Sequence, residues 1–341
     1  MFTKSVILAF ITLATLATAT LMQPRQAGGP IALPKRSSFT KSDGTFDYDK
    51  AVTQTVASKN KHRQNLINLP NNTSSLPQGF AIKALASLPS SVEASLKKRQ
   101  AETLTDEEED KEWTGKHFSS STSSKESGSF SFEYGDGSTV PGPVYEDTVA
   151  VASIQVANQK FSHVTTLSAS FASDPADGIL DLAFPAISNL DADPFFVNAN
   201  SQGAVDSNDL GFYLASSGSE LYLRGANSDL YSGSIEYHEI SGASIASDGT
   251  TAMSDFEVIT DSGTTIMYGP PSAVKEFYAQ VSGSRLYDST DGYYSVPCDS
   301  APEVSFSWGG DSFTISADNW MKNVHTVFSF SKTAVGFANL A

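Results

Sequence analysis

From Phe130 onward, apolar and polar residues alternate in short runs at the two-residue period of a half-buried strand. Ser129-Phe130-Ser131-Phe132-Glu133-Tyr134 is one such run. Thr148 to Val151, Leu221 to Leu223, Val304 to Trp308 and Val327 to Phe330 repeat the pattern. Gly, Asp and Ser clusters punctuate them, as in Tyr134 to Ser138 and Trp308 to Asp311, where turns are expected. Helical periodicity is scarce. Pro271 to Val281 carries it, with proline at its start and Gly283 just past its end, the usual asymmetry of a helix. A second helix is expected over Asp49 to Leu69, where Val52 and Val56 recur four apart. The pattern predicts a mostly β protein, and 341 residues suffice for one large domain or two ordinary ones.

The first hundred residues differ in kind. Lys4, the apolar run Val6 to Leu16 and the small residues Ala17-Thr18-Ala19 predict a secretory signal over 1–19. Residues 1–99 hold 13 Lys/Arg against 4 Asp/Glu, and residues 100–341 hold 9 against 34. A body this acidic argues against nucleic acid and anionic membranes as partners, and suits work at low pH. Lys97-Lys98-Arg99 closes the basic part just before the acidic run Asp106 to Glu112. Residues 20–99 therefore read as a propeptide, with Lys35-Arg36 a second candidate cut. Asn71-Asn72-Thr73-Ser74 contains two overlapping N-glycosylation sequons. Cys298 is the single cysteine, odd for a secreted chain, where thiols are usually paired.

The sharpest chemical signal is Phe256 to Thr265. A β run delivers Asp261 into a turn made by Ser262 and Gly263, where small residues let a second backbone approach the carboxylate. The hydroxyls of Ser262, Thr264 and Thr265 can donate to a carboxylate and hold it ionised. By itself Asp-Ser-Gly is also compatible with a structural Asx-turn.

In company with other segments, this stretch resembles the second active-site motif of pepsin-like aspartic proteases. Glu133 to Ser138, containing Tyr134, Gly135, Asp136 and Gly137, is similar to the flap hairpin that closes over substrate. Asp177 to Phe184 is similar to the apolar-apolar-glycine segment of the first lobe, and Thr333 to Ala338 to its counterpart in the second. The likeness covers nearly all of 100–341, is strongest to the fungal, polyporopepsin-like branch, and extends to the leader. It implies a bilobal fold, with 100–215 in the first lobe and 216–341 in the second. It also implies hydrolysis of peptide bonds in a protein substrate at acid pH by two aspartates sharing a proton. An inhibitory role for the chain's own propeptide, and no cofactor or metal, complete the expectation. Location would be extracellular or vacuolar.

Several departures stand against activity. Trp113-Thr114-Gly115-Lys116 resembles the mature N-terminal strand, and His117-Phe118-Ser119 already begins the pre-flap segment. The stretch between them, which should carry the first catalytic aspartate, is absent, leaving Asp261 alone. A piece with a cysteine partner for Cys298 is missing between Trp320 and Met321, and another after Tyr237-His238. Asp181 occupies a glycine position, where its carboxylate is expected to crowd a passing backbone. The first lobe is expected to be incomplete and marginal, and the chain inactive as written.

Other readings are a non-catalytic peptide binder that keeps the cleft, and a homodimer supplying two copies of Asp261. First-lobe remnants would obstruct a symmetric interface, so a monomer is expected. No Gly-x-Ser-x-Gly or His-Glu-x-x-His occurs. His62, His117, His163, His238 and His325 are scattered, which argues for solvated or strand-borne structural histidines over a metal site.

Overall fold

The computed structural model describes residues 12–13, 30–33, 39–41, 43–76, 80–95, 120–131, 141–164, 179–215, 217–239, 242–262, 266–289, 292–297, 302–315 and 324–341. Two compact units emerge, one built mainly on Val205–Ala341 with Gln26–Lys35, the other mainly on Arg36–Ala204.

The C-terminal unit is organised by a six-stranded antiparallel sheet. In chain order its strands are β1 (Ile31–Ala32), β5 (Asp209–Tyr213), β6 (Glu220–Tyr222), β7 (Tyr231–His238), β14 (Val324–Ser329) and β15 (Ala334–Leu340). The spatial order is β1-β6-β5-β14-β15-β7. The two strands nearest the C-terminus thus lie inside the sheet, and β15 pairs with β7 across 97 and 99 residues of chain at Val335–His238 and Gly336–Tyr237. All six residues of β14 are buried, as are five of seven in β15. The alternation read at Val327 to Phe330 predicted a strand with one polar face. The strand ends at Ser329 instead, and Thr326 and Ser329 are buried with the apolar residues. A central strand covered on both faces leaves no solvent side for its polar positions to mark. Gly336 sits where a Cβ would meet Ile235 Cγ2 at 2.5 Å, so the close approach of β7 depends on the missing side chain.

A second sheet in this unit contains β8 (Ala243–Ser247), β9 (Thr250–Phe256), β12 (Val304–Ser307) and β13 (Ser312–Ile315), in the order β9-β8-β12-β13. Helix α3 (Pro271–Gln280) has Pro271 in its first turn and ends at Val281, two residues before Gly283 at φ 73°. This is the span and the termination that the sequence predicts. The hairpin β10 (Arg285–Asp288) and β11 (Tyr293–Ser295) follows it, and Tyr294 stacks on Tyr278 of α3 with ring centroids 4.4 Å apart.

The N-terminal unit has less sheet. Strands β2 (Ser124–Phe130), β3 (Gly142–Val151) and β4 (Ile154–Ser162) form an antiparallel three-stranded sheet with β3 in the middle. Helix α2 (Phe195–Ser201) buries Phe195, Phe196 and Ala199. It is strapped to β4 by Gln202, whose amide donates to Ala157 O and accepts from Ala157 N, both at 2.9 Å.

The long helix α1 (Tyr48–Thr73) belongs to the same unit. Asp47 caps its start by accepting from Lys50 N at 3.2 Å, satisfying one orphan donor of the first turn. It runs one turn beyond the predicted end, through Pro70. Ser74 at φ 67° closes it with a bond from its N–H to Pro70 O. The segment 80–95 lies along α1. Asn60 brackets Ala86, donating to its carbonyl at 2.9 Å and accepting from its N–H at 2.8 Å, while Ser95 Oγ donates to Asp49 Oδ2 at 2.7 Å.

Candidate active site

Beyond β9 the chain passes through Glu257, Val258, Ile259 and Thr260, which belong to no strand or helix, and reaches Asp261, which takes part in an isolated β-bridge. Thr260 is buried, while Asp261 and Ser262 are half-buried. The β run expected over Phe256 to Thr260 is met only at Phe256, where β9 ends, and the chain crosses four residues without regular structure before the turn at Ser262. The Oγ of Ser262 is enclosed and has no hydrogen-bond partner among the described residues. It is a donor held beside Asp261 with nothing to donate to, which is costly unless a ligand or water supplies an acceptor. Gly263, Thr264 and Thr265 of the same motif lie outside the described residues, as do Tyr134, Gly135, Asp136 and Gly137 of the flap-like segment and the lone Cys298.

Behind this turn is an aromatic stack that sequence reading did not single out. His238 at the end of β7 stacks on Trp308, centroids 5.3 Å apart at 19°, and Trp308 stacks on Phe337 at 4.8 Å. With Val258 and Thr260 they line a small hollow. Burial holds the His238 imidazole below the usual histidine range, opposed by the Glu236 carboxylate 3.5 Å from its Nε2. Glu236 also accepts from Asp311 N at 3.0 Å and so pins the Trp308 to Asp311 turn. The ring spacing His238, Trp308 and Phe337 crosses three strands, so no local motif could have announced it.

Asp181 is corrected by the structure. Its side chain is exposed and its Oδ1 accepts from Ala183 N at 2.9 Å, a local Asx bond that replaces the crowding expected of a carboxylate there. Its neighbours Leu182 and Ala183 are buried.

The histidines are dispersed. His163 faces Tyr145 edge-on at 6.4 Å, and His325 is buried in β14, stacked on Tyr231 at 5.1 Å. Burial lowers His325 to about 4, and neither ring nitrogen has a hydrogen-bond partner. Among the described residues no three His, Cys, Asp or Glu side chains converge as a metal set. Among them, too, no helix is long and apolar enough to cross a membrane.

Helix α1 docks on the segment 185–189 of the same unit. Asn68 Nδ2 donates to Ile187 O at 3.0 Å and to Asn189 Oδ1 at 2.7 Å. Asn72 Nδ2 faces the carbonyls of Pro185, Ala186 and Ser188 at 3.2, 3.3 and 3.0 Å. These amides lie one helical turn apart and share a face.

The chain is 40% identical over 235 residues to an aspartic protease of Phaffia rhodozyma, covering 65% of this chain and 58% of the relative. It is 28% identical over 293 residues to the major aspartyl peptidase 1 of Cryptococcus neoformans var. grubii, covering 65% and 60%. That longer alignment draws on 65% of 341 residues, about 222, and so carries gaps on this chain's side. Pepsin A of Sus scrofa is 35% identical over 214 residues, covering 58% and 54%. The chain spans less than two thirds of the length of each of these relatives. The family model for eukaryotic aspartyl proteases matches residues 102–338, which takes in β2 to β14, most of β15, the Asp261 turn and the Trp308 stack, and the chain therefore belongs to the eukaryotic aspartyl protease family.

Proposed function

We propose that this chain is a secreted aspartic endopeptidase precursor whose catalytic pair is incomplete as written. The observation that carries the reading is Asp261, held in an isolated β-bridge at the start of a turn, beside a buried Ser262 hydroxyl with no hydrogen-bond partner among the described residues. Acid hydrolysis of a peptide bond by this family's chemistry needs two carboxylates. One, ionised, takes a proton from water as the water attacks the carbonyl carbon, and the other, protonated, donates to the carbonyl oxygen. Asp261 supplies one of the two. No second Asp-Ser-Gly or Asp-Thr-Gly occurs in the sequence, and the internal gaps of the longer alignment support a chain that has lost the other. Substrate is a peptide or protein segment, with Tyr134 to Gly137 closing over it and Ser262 to Thr265 framing the carboxylate. No metal or other cofactor enters.

Residues 1–19 direct export and 20–99 act as propeptide, an inhibitor in cis. The docking of α1 on 185–189 supports a leader that folds onto the body instead of trailing from it. The mature protein works as a monomer outside the cell or in a vacuole.

The test is cleavage of an acid-denatured protein substrate by the full chain at acid pH, beside Asp261→Asn. No cleavage by either supports the reading. Cleavage by the chain and not by the variant shows that a second carboxylate has been recruited. A non-catalytic peptide binder is the second reading, favoured by the retained Asp261 turn and the flap-like segment. Peptide affinity in a pull-down or titration that survives Asp261→Ala decides for it.

A further inference from the structure

We infer that Asn71 is the N-glycan acceptor of this chain and that the adjacent Asn72 is withheld from modification to serve as the docking residue of α1. The inference rests on the export reading above, since the modification belongs to the secretory route.

The two sequons overlap, Asn71-Asn72-Thr73 and Asn72-Thr73-Ser74, and no other Asn-x-Ser/Thr occurs in the chain. Both asparagines lie in the last turn of α1. Successive residues of a helix project about 100° apart, so one can face protein while the next faces water. Gln64, Asn68 and Asn72 are spaced four apart and form a polar ladder on one face. Gln64 Nε2 donates to Asn68 Oδ1 at 2.9 Å, and Asn68 donates onward to Ile187 O and Asn189 Oδ1. Asn72 ends the ladder with its two amide hydrogens shared among three carbonyls of 185–188. Asn71 falls off this face and is exposed.

Transfer to an asparagine forms a bond from Nδ2 to C1 of a sugar carried on a lipid pyrophosphate. The pyrophosphate leaves with the C1–O bond electrons, and one Nδ2 proton passes to a base of the transferase. The product keeps one N–H and carries a sugar ring within bonding distance of Nδ2. At Asn72 that ring would occupy the space held by the carbonyls of Pro185, Ala186 and Ser188, so a glycan there and a docked α1 exclude each other. At Asn71 the ring projects into solvent and the ladder is untouched. The leader can therefore be glycosylated and docked at once only through Asn71.

The experiment expresses the full chain in a glycosylating eukaryotic host and releases glycans enzymatically in heavy-oxygen water. Peptide mass spectrometry then shows which asparagine became labelled aspartate. Label at Asn71 is expected, with Asn72→Gln keeping the glycan and its gel shift. Label at Asn72 in the wild-type chain overturns the assignment, as does precursor that has entered the secretory route and still carries residues 48–73 with both asparagines unmodified. Chain confined to the cytosol overturns the export reading and the assignment with it. With Asn71→Gln the expected result is loss of the gel shift, or a glycan at Asn72 together with faster proteolysis within 48–73. A glycan at Asn72 with α1 as protected as in wild type overturns the exclusion.

Discussion

Strand β14 of the C-terminal unit has all six of its residues buried, whereas β2 of the N-terminal unit has none of its seven. Both are antiparallel strands of similar length. The difference lies in their neighbours. β14 is paired on both sides, with β5 and β15, and both faces of the sheet are covered. β2 is an edge strand with β3 as its one partner and a register shift between Lys125 and Ser129. The C-terminal unit is therefore held by apolar packing, with Phe212, Phe313, Phe328 and Phe337 all essentially inaccessible to water. The N-terminal unit buries apolar side chains too, Leu69, Ile154, Leu182 and Phe196 among them, and adds polar latches in the amides of Asn60, Asn68, Asn72 and Gln202.

The contrast can be broken most forcefully in the apolar unit. Phe337→Ala removes a ring packed against Trp308 and Phe313 and should cost about 3–5 kcal/mol. Denaturant unfolding followed by hydrogen exchange should show the loss in β5, β14 and β15, with 48–73 unaffected. The counterpart in the polar unit is Asn68→Ala, which strands the Ile187 carbonyl and the Asn189 side chain. A cost of about 1–3 kcal/mol is expected, and exchange should rise in α1 while the six-stranded sheet stays protected. Equal loosening of both units by either variant would dissolve the distinction.

Acidity sharpens it further. His325 titrates at about 4 when folded against 6.5 when free, because burial disfavours the imidazolium. The unfolded chain takes up this proton first, so its contribution to stability is whole above pH 6.5 and falls as pH drops toward 4. The C-terminal unit's melting temperature should decline over that window, and His325→Phe should flatten the decline. A slope unchanged by the variant would place the titration elsewhere. The smallest effect is expected at Asp181→Ala, which gives up the local Asx bond to Ala183 N. A loss of no more than about 0.5–1.5 kcal/mol should follow in the same unfolding assay. A gain in stability would mean the carboxylate does crowd the backbone after all.

Much of the fold was legible in the chain. The period of two in Val304 to Trp308 and Thr148 to Val151 announced strands, and Pro271 with Gly283 bracketed α3. Helix α1 was visible in Val52 and Val56, though its last turn through Pro70 was not, since proline ordinarily ends a helix there. That turn is closed by Thr73 Oγ1 bonding to Leu69 O at 2.6 Å and by Asn72 reaching across to 185–188. The hairpin between β3 and β4 was also hidden. Ala152 and Ser153 take left-handed backbone, at φ 48° and 67°, where glycine or asparagine would have been the expected sign.

The sequence by itself determined the family, the β character and the delivery of Asp261 into its turn, because each rests on neighbours in the chain. Period, turn chemistry and motif order are local quantities. Only the tertiary structure decided which strands became central, that His238 would meet Trp308 and Phe337, that Asp181 would turn outward, and that Asn72 and not Asn71 would face protein. Those outcomes depend on what packs against a residue from far along the chain. A buried serine in β14 and an exposed one in β2 read alike until their neighbours are in place.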